Sequence, residues 1–162
     1  MKLFALLQPL LLALGKKPTH WFLDGNNILA HGKTVKDREA LVATLRDVKA
    51  EEVILVFDGK AGQQTNIAQE DALRTVDLGE GLESDDYIKE EIEKFLQDPK
   101  TRRKHRVNLV SADRELRRKA KSFKPIVRTV VNPVTFFKKY LPRLKGLKGP
   151  NDNLPQSDDQ EY

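Results

Sequence analysis

Apolar positions along this chain alternate between short continuous runs and stretches with helical spacing. "THWFLDGNN" predicts a buried strand from Thr19 to Leu23, ending in Asp24 and a turn at Gly25-Asn26-Asn27. In "VKDREALVATLRDVKA" the apolar residues Val35, Ala40, Leu41, Leu45 and Val48 keep a helical period, and Thr34 is placed to begin that helix. "EEVILVFDGKAG" predicts a second strand over Val53 to Phe57, which again ends in an aspartate, Asp58, and a glycine. The polar stretch "QQTNIAQEDALRTVDL" yields only a weak strand at "LRTVDL", whereas "ESDDYIKEEIEKFLQD" is an amphipathic helix with Ile88, Ile92 and Phe95 on one side and Ser84 available as its cap. A strand over Val107 to Val110 precedes a helix over Arg114 to Lys121, "PIVRTVV" predicts a last strand, and "NPVTFFKKYLPRL" a terminal helical segment. Strands alternating with helices predict an α/β fold: one Rossmann-like domain, with a mainly parallel sheet and helices on both faces.

The two ends read differently. Residues 1–17, "MKLFALLQPLLLALGKK", hold an apolar run from Leu3 to Leu14 that resembles the central region of a signal peptide and is too short to span a bilayer. Gln8 and Pro9 interrupt it and no A-x-A cleavage site follows, so a helix packed on the domain is the alternative. Residues 146–162 have no apolar periodicity and are expected to be disordered, which leaves 18–145 as the domain.

Charge adds a second pattern. The chain of 162 residues carries a net charge of +5, but between Lys100 and Lys148 there are 17 lysines and arginines against only Asp113 and Glu115, while the remainder is net acidic. A basic segment of this density points to a polyanion, with nucleic acid the leading candidate. There is no cysteine, so disulfides, thiolate metal sites and cysteine nucleophiles are excluded. Only His20, His31 and His105 are present, widely spaced, which argues against a histidine-rich zinc site.

In an open parallel sheet, ligands bind outside the carboxyl ends of the strands. Three predicted strands deliver an aspartate there, Asp24, Asp58 and Asp113, and the acidic helix can add Asp85 or Asp86. Each aspartate alone is more often a helix cap or turn former; together they repel, and a divalent cation such as Mg²⁺ or Mn²⁺ resolves the conflict. Arg102, Arg103, Lys104 and Arg106, in the loop entering the Val107 strand, and Arg114, Arg117, Arg118 and Lys121, on the helix after Asp113, are the candidates to hold a phosphate backbone across that edge. A receiver-type phosphoacceptor domain also has strand-end carboxylates and a Lys-Pro pair, here Lys124-Pro125, but its phosphoacceptor follows the third strand, whereas Asp58 follows the second.

With these residues in place, the chain resembles the NYN-domain family of PIN-like ribonucleases, and within it the YacP-like branch found in bacteria and plastids. The matching motifs are "FLDGNNIL", "VILVFDG", "ESDDYIKEEI" and "NLVSADREL", between Trp21 and Leu141. The resemblance implies a PIN-like fold and a metal-dependent endoribonuclease using Mg²⁺ or Mn²⁺ on single-stranded RNA, with mRNA in a ribosome context as the partner and the cytoplasm or plastid stroma as the compartment; export through the leader is the alternative. It implies Asp24, Asp58, Asp85 and Asp113 as the acidic residues, Asn26 as the residue that orders the first loop, and Ser111 as support for the last acid. Asn27 stands where the family usually has an aromatic residue. The adjacent Asp86 leaves the helix acid ambiguous, and alignment on "DDYI" favours Asp85. A non-catalytic RNA-binding module of the same fold is the competing reading.

Overall fold

In a computed structural model of the protein, residues 18–31 and 35–147 are described. The apolar leader, Thr34 and the tail beyond Leu147 lie outside them, as do the expectations attached to the leader and the tail. The elements run β1 (Thr19–Asp24), α1 (Gly25–Ala30), α2 (Arg38–Leu45), β2 (Glu52–Phe57), β3 (Asn66–Glu70), β4 (Leu73–Asp77), α3 (Ser84–Gln97), α4 (Pro99–Lys104), β5 (Arg106–Val110), α5 (Arg114–Lys121) and β6 (Val127–Val131). A closing helical segment follows in three pieces, Pro133–Thr135, a π turn over Phe136–Tyr140, and Leu141–Leu144.

The six strands form one sheet in the order β3-β4-β2-β1-β5-β6, with every neighbouring pair parallel except β3 with β4. Side chains alternate across it and build two cores. Trp21, Leu23, Leu55 and Phe57 face α2 and the closing segment, where Leu41, Leu45, Phe136 and Leu144 are buried. Phe22, Ile54, Val56 and Leu109 face α3 and α5, where Ile88, Ile92, Leu116 and Ala120 are buried. The protein is therefore a single Rossmann-like α/β domain with helices on both faces of a mostly parallel sheet.

Numbered among themselves, the five parallel strands lie in the order 3-2-1-4-5, which reverses direction between β1 and β5. That order belongs to the Rossmann type and not to the flavodoxin-like 2-1-3-4-5 type, which removes the receiver-type alternative. The crevice at the reversal opens at the carboxyl ends of β1 and β5, beside Asp24 and Ser111.

Local expectations are corrected in four places. The turn at Gly25-Asn26-Asn27 is instead α1, a short helix capped by Asp24. Helix α2 begins at Asp37, whose carboxylate accepts from the Ala40 N–H at 2.9 Å, rather than at Thr34. Residues 99–104, expected to be a loop, form α4 with Asp98 as cap and Pro99 in its first turn. Strand β3 has no apolar alternation because it is the sheet's exposed antiparallel edge; it is formed by a hairpin that turns through Asp71, at φ 51°, and not by burial.

Candidate active site

Asp24 ends β1 with only 5% of its surface exposed. It is held there because α1 starts directly after it, and the start of α1 admits no side chain at Gly25: a Cβ there would lie 2.9 Å from the Val56 carbonyl oxygen and closer still to the Phe57 ring. The Asp24 Oδ1 accepts from the Ser84 hydroxyl at 2.8 Å and weakly from the Asn27 N–H at 3.4 Å. Burial, followed by repulsion from Asp58 and Asp85, pushes the Asp24 carboxyl above its ordinary range, while the Ser84 and Asn27 bonds pull it back.

Ser84 does not cap α3. It is the helix's first residue, after Glu83 at the cap position, and Glu83 makes no side-chain capping bond. The Ser84 N–H, one of the unsatisfied donors of that first turn, goes instead to the Asp58 Oδ1 at 2.7 Å. A carboxylate from the end of β2 thus caps α3 from another element, and the Ser84 hydroxyl and amide tie Asp24 and Asp58 into one cluster. Asn26 completes the tie, its side-chain oxygen accepting from the Asp58 N–H at 2.7 Å.

Asp85 belongs to this cluster by its repulsion of Asp24, and it also belongs to a second one. Glu83, Asp85 and Asp86 place one carboxylate oxygen each within 4.8 Å of one another, a spacing that can hold a metal ion. Glu83 is pushed up chiefly by Asp85 and then by Asp86. Sequence reasoning missed Glu83, although three acids within the four residues Glu83 to Asp86 were its signal.

Asp113 stands at the end of β5 and caps α5, accepting from the Leu116 N–H at 2.9 Å. Buried Ser111 turns its hydroxyl back to accept from the Asp113 N–H at 3.1 Å. Asn27 joins this loop to the first one, its side-chain oxygen accepting from the Ala112 N–H at 2.7 Å. All three strand-end aspartates therefore act as helix caps, and in each the recorded bonds fall on Oδ1, so that Oδ2 remains available for another ligand.

No family model matches this chain, and neither does any curated protein or solved structure.

The basic candidates divide. Arg114 is exposed in the first turn of α5, beside Asp113. Arg118 is exposed, and Lys121 partly so, further along the same helix. Arg117 is only 6% exposed, on the helix face that carries Leu116 and Ala120, because a period of 3.6 turns one of the three arginines inward; burial also lowers its pKa. It is removed from the exposed basic surface. Arg102, Arg103 and Lys104 precede β5 and Arg106 begins it, so all four lie at the opposite edge of the sheet from the aspartates. At ~3.3 Å per residue, the five residues of β5 put ~17 Å between those edges. The cations next to the carboxylates are thus few: Lys60 after Asp58, Arg114, and Lys89, 3.9 Å from Asp86. Arg38, by contrast, is bound to Asp77 through two bonds, at 3.2 and 2.6 Å.

A groove of about 660 Å³ lies between the end of α2, the β3–β4 turn and the end of the closing segment, lined by Asp47, Val48, Lys49, Asp71 and Lys145 among others. It includes none of the clustered carboxylates. Among the described residues no helix is long and apolar enough to cross a membrane.

Proposed function

We propose that this protein is a metal-dependent endoribonuclease that hydrolyses phosphodiester bonds in single-stranded RNA. The observation that carries the reading is Asp24: a buried carboxylate at the point where the strand order reverses, raised by burial and by two more carboxylates, Asp58 and Asp85. Such an arrangement is unfavourable by itself and suits a hard divalent cation, because every donor is an oxygen and each strand-end aspartate keeps one oxygen uncommitted. Asp24 and Asp85 would hold Mg²⁺ or Mn²⁺, with Asp86 and Glu83 as further donors on the helix side and Asp113 on the β5 side. When bound, such an ion would polarise a phosphoryl oxygen and neutralise negative charge developing on the phosphoryl oxygens.

The chain's own residues have definable tasks. Ser84 fixes the Asp24 carboxylate in rotation, and Asn26 fixes the loop that carries Asp58. Asp58, half-buried and bonded through one oxygen only, is placed to take the proton of an attacking water. Arg114 and Lys60 are the exposed cations available to the scissile phosphate. The family resemblance supports the choice of RNA over other phosphodiesters.

The test is cleavage of a labelled single-stranded RNA in Mg²⁺, Mn²⁺ or EDTA by the wild type, Asp24→Asn and Asp113→Asn. Cutting that requires metal and falls on the order of 10²–10⁴-fold in Asp24→Asn is expected, the size of a lost catalytic carboxylate. RNA binding that is indifferent to EDTA, with no cutting under any condition, would sink the nuclease reading and leave a binding module of the same fold.

A further inference from the structure

The amino edge of β5 gathers positive charge that the carboxylate edge lacks. Lys100, Arg102, Arg103 and Lys104 are exposed on α4 and its first turn, and Arg106 follows at the first residue of β5, in register with Thr19. Lys124 joins them, because the Val107 N–H donates to the Ile126 carbonyl at 3.0 Å and so brings the α5–β6 connection beside the start of β5. Lys121 sits close enough for Arg117 and Lys124 to add to the burial that lowers it.

Two features separate this surface from an ordinary solvated face. The first is that none of Lys100, Arg102, Arg103, Lys104, Arg106 or Lys124 forms an ion pair among the described residues, and Asp98, the acid at the start of α4, is committed to capping bonds and feels Lys104 only as a minor influence. On α3 the same chain does pair its lysines, Lys94 with Glu91 at 2.9 Å and Lys89 with Asp86 at 3.9 Å. Like charges within one turn repel, so a helix that crowds them unpaired is weakened unless something else holds it.

The second feature is what holds it. Six residues are too few to sustain a helix in water, and α4 is fixed at both ends. Asp98 accepts from the Lys100 N–H at 3.0 Å and from the Thr101 hydroxyl at 2.9 Å. At the other end, the His105 N–H donates to the Thr101 carbonyl, and the His105 ring is bound through Nδ1 to Nε2 of buried His20 at 2.8 Å. His20 is in turn bound to buried Glu52 at 2.5 Å. A buried polar chain across β1 and β2 thus secures a short helix whose exposed side is almost purely cationic.

We propose that α4, with Arg106 and Lys124, is an anchoring surface for the phosphate backbone of single-stranded RNA, separate from the carboxylate edge. A membrane surface fits less well, since bilayer anchoring needs apolar residues beside the cations. Among the described residues, the large exposed apolar side chains, Ile67, Leu82, Val134 and Leu147, all belong to other elements. The inference rests on the reading that RNA is what this chain handles, and it does not rest on catalysis. An RNA that reaches both edges must cover ~17 Å.

The experiment is the anisotropy of a labelled single-stranded RNA, titrated in EDTA over a range of salt with the full chain. Compared with the wild type, Arg102→Gln/Arg103→Gln/Lys104→Gln is expected to bind about tenfold more weakly or worse, and its log–log salt slope to fall by about 2, at ~0.7 per phosphate contact. Asp24→Asn should bind as tightly as the wild type or more so. Glutamine keeps helix propensity at these exposed positions, and the milder Lys100→Gln/Arg102→Gln should lower the slope by about 1.4 if the triple change perturbs folding. Equal affinity and slope in wild type and variants would overturn the anchor, as would binding of anionic phospholipid vesicles that is lost in the triple variant while RNA binding stays intact. Loss of RNA binding in the triple variant of a protein that cuts nothing would keep the anchor and remove the nuclease. Metal-dependent cutting with no α4 contribution to binding would do the reverse.

Discussion

The carboxyl edge of the sheet and the amino edge of β5 present opposite problems in the same currency. At the first, Asp24, Asp58, Asp85, Asp86 and Glu83 lie together; Asp24 is raised chiefly by burial and further by its neighbours, and Glu83 chiefly by Asp85 and Asp86. At the second, Lys100 to Arg106 lie together and form no ion pair among the described residues. The fold holds each group in place by different means. The acids are tied to helix starts, where backbone N–H groups and the helix dipole favour negative charge; the cations are carried on a helix pinned from below by buried histidine. A charged ligand relieves both, and of opposite kinds: a cation at one edge, a phosphate chain at the other.

The largest way to break the acidic half without touching a carboxylate is Gly25→Ala. The added methyl meets the Val56 carbonyl and the Phe57 ring, both parts of the sheet that cannot swing away. Overpacking of this kind costs about 1–3 kcal/mol, and because Gly25 follows Asp24 directly, it also moves the carboxylate off Ser84. Denaturant melts should show the loss of stability, and cleavage of RNA should fall with it.

Replacing the charge and not the shape gives a gain. Asp24 has its folded pKa above 3.8, so its penalty is absent below pH 3.8, sets in as the pH rises through the raised folded value, and is fully present at neutrality. Asp24→Asn keeps an oxygen for the Ser84 hydroxyl and removes that penalty. In EDTA at pH 7 the variant should melt about 2–4 °C higher, the effect of roughly 1 kcal/mol in a chain of this size. Mg²⁺ or Mn²⁺ should raise the wild-type midpoint and leave the variant's nearly unmoved. A variant that melts lower than wild type in EDTA, or responds equally to metal, would remove the acidic edge from the comparison.

How much of this was legible in the sequence depends on what each residue's signal is made of. The parallel strands could be read because burial on both faces forces continuous apolar runs such as Val53 to Phe57. Strand β3 could not, since its pattern reflects only pairing with β4. The strand-end aspartates were visible, but not that Asp58 caps α3 or that Ser84 binds Asp24, because both contacts join residues 26 and 60 positions apart. The basic segment was plain as composition. Its place at the opposite edge was not, since it follows from the direction of α3, which carries the chain from one edge to the other before α4 and β5 begin.

Ser84→Ala sharpens the acidic edge further. The change removes a buried hydroxyl bond, about 1 kcal/mol, and with it the larger of the two influences that pull Asp24 down. The Asp24 carboxyl then rises further, so the acid limb of the pH–rate profile should move to higher pH. An unmoved limb would show that Asp24 does not set it.

The smallest effect belongs to the basic edge. His105 has its folded pKa below 6.5, first because it is part-buried and then because of positive charge at His20 and Lys104, with Glu52 opposing. The groups around it are His20 from β1, Glu52 from β2, Arg74 from β4, 3.3 Å from the Glu52 Oε1 as an ion pair without hydrogen-bond geometry, Phe95 from α3 and Lys104 from α4. In the hydrogen bond between the two rings one nitrogen donates and the other accepts, so full protonation of both rings breaks it. The sign follows from proton uptake: the unfolded chain takes up a proton near pH 6.5 that the folded His105 refuses until lower pH. The contribution is therefore complete above pH 6.5 and declines as the pH falls from there to the lowered folded value. Stability of the wild type should drop over that interval, and His105→Gln, which keeps a polar side chain without a titrating group, should flatten the slope. Amide hydrogen exchange in α4 is the local measure: opening of residues 99–104 at mildly acid pH in the wild type but not in the variant ties the histidine pair to the helix that carries the cations, and uniform protection across that range would show that α4 is held without it.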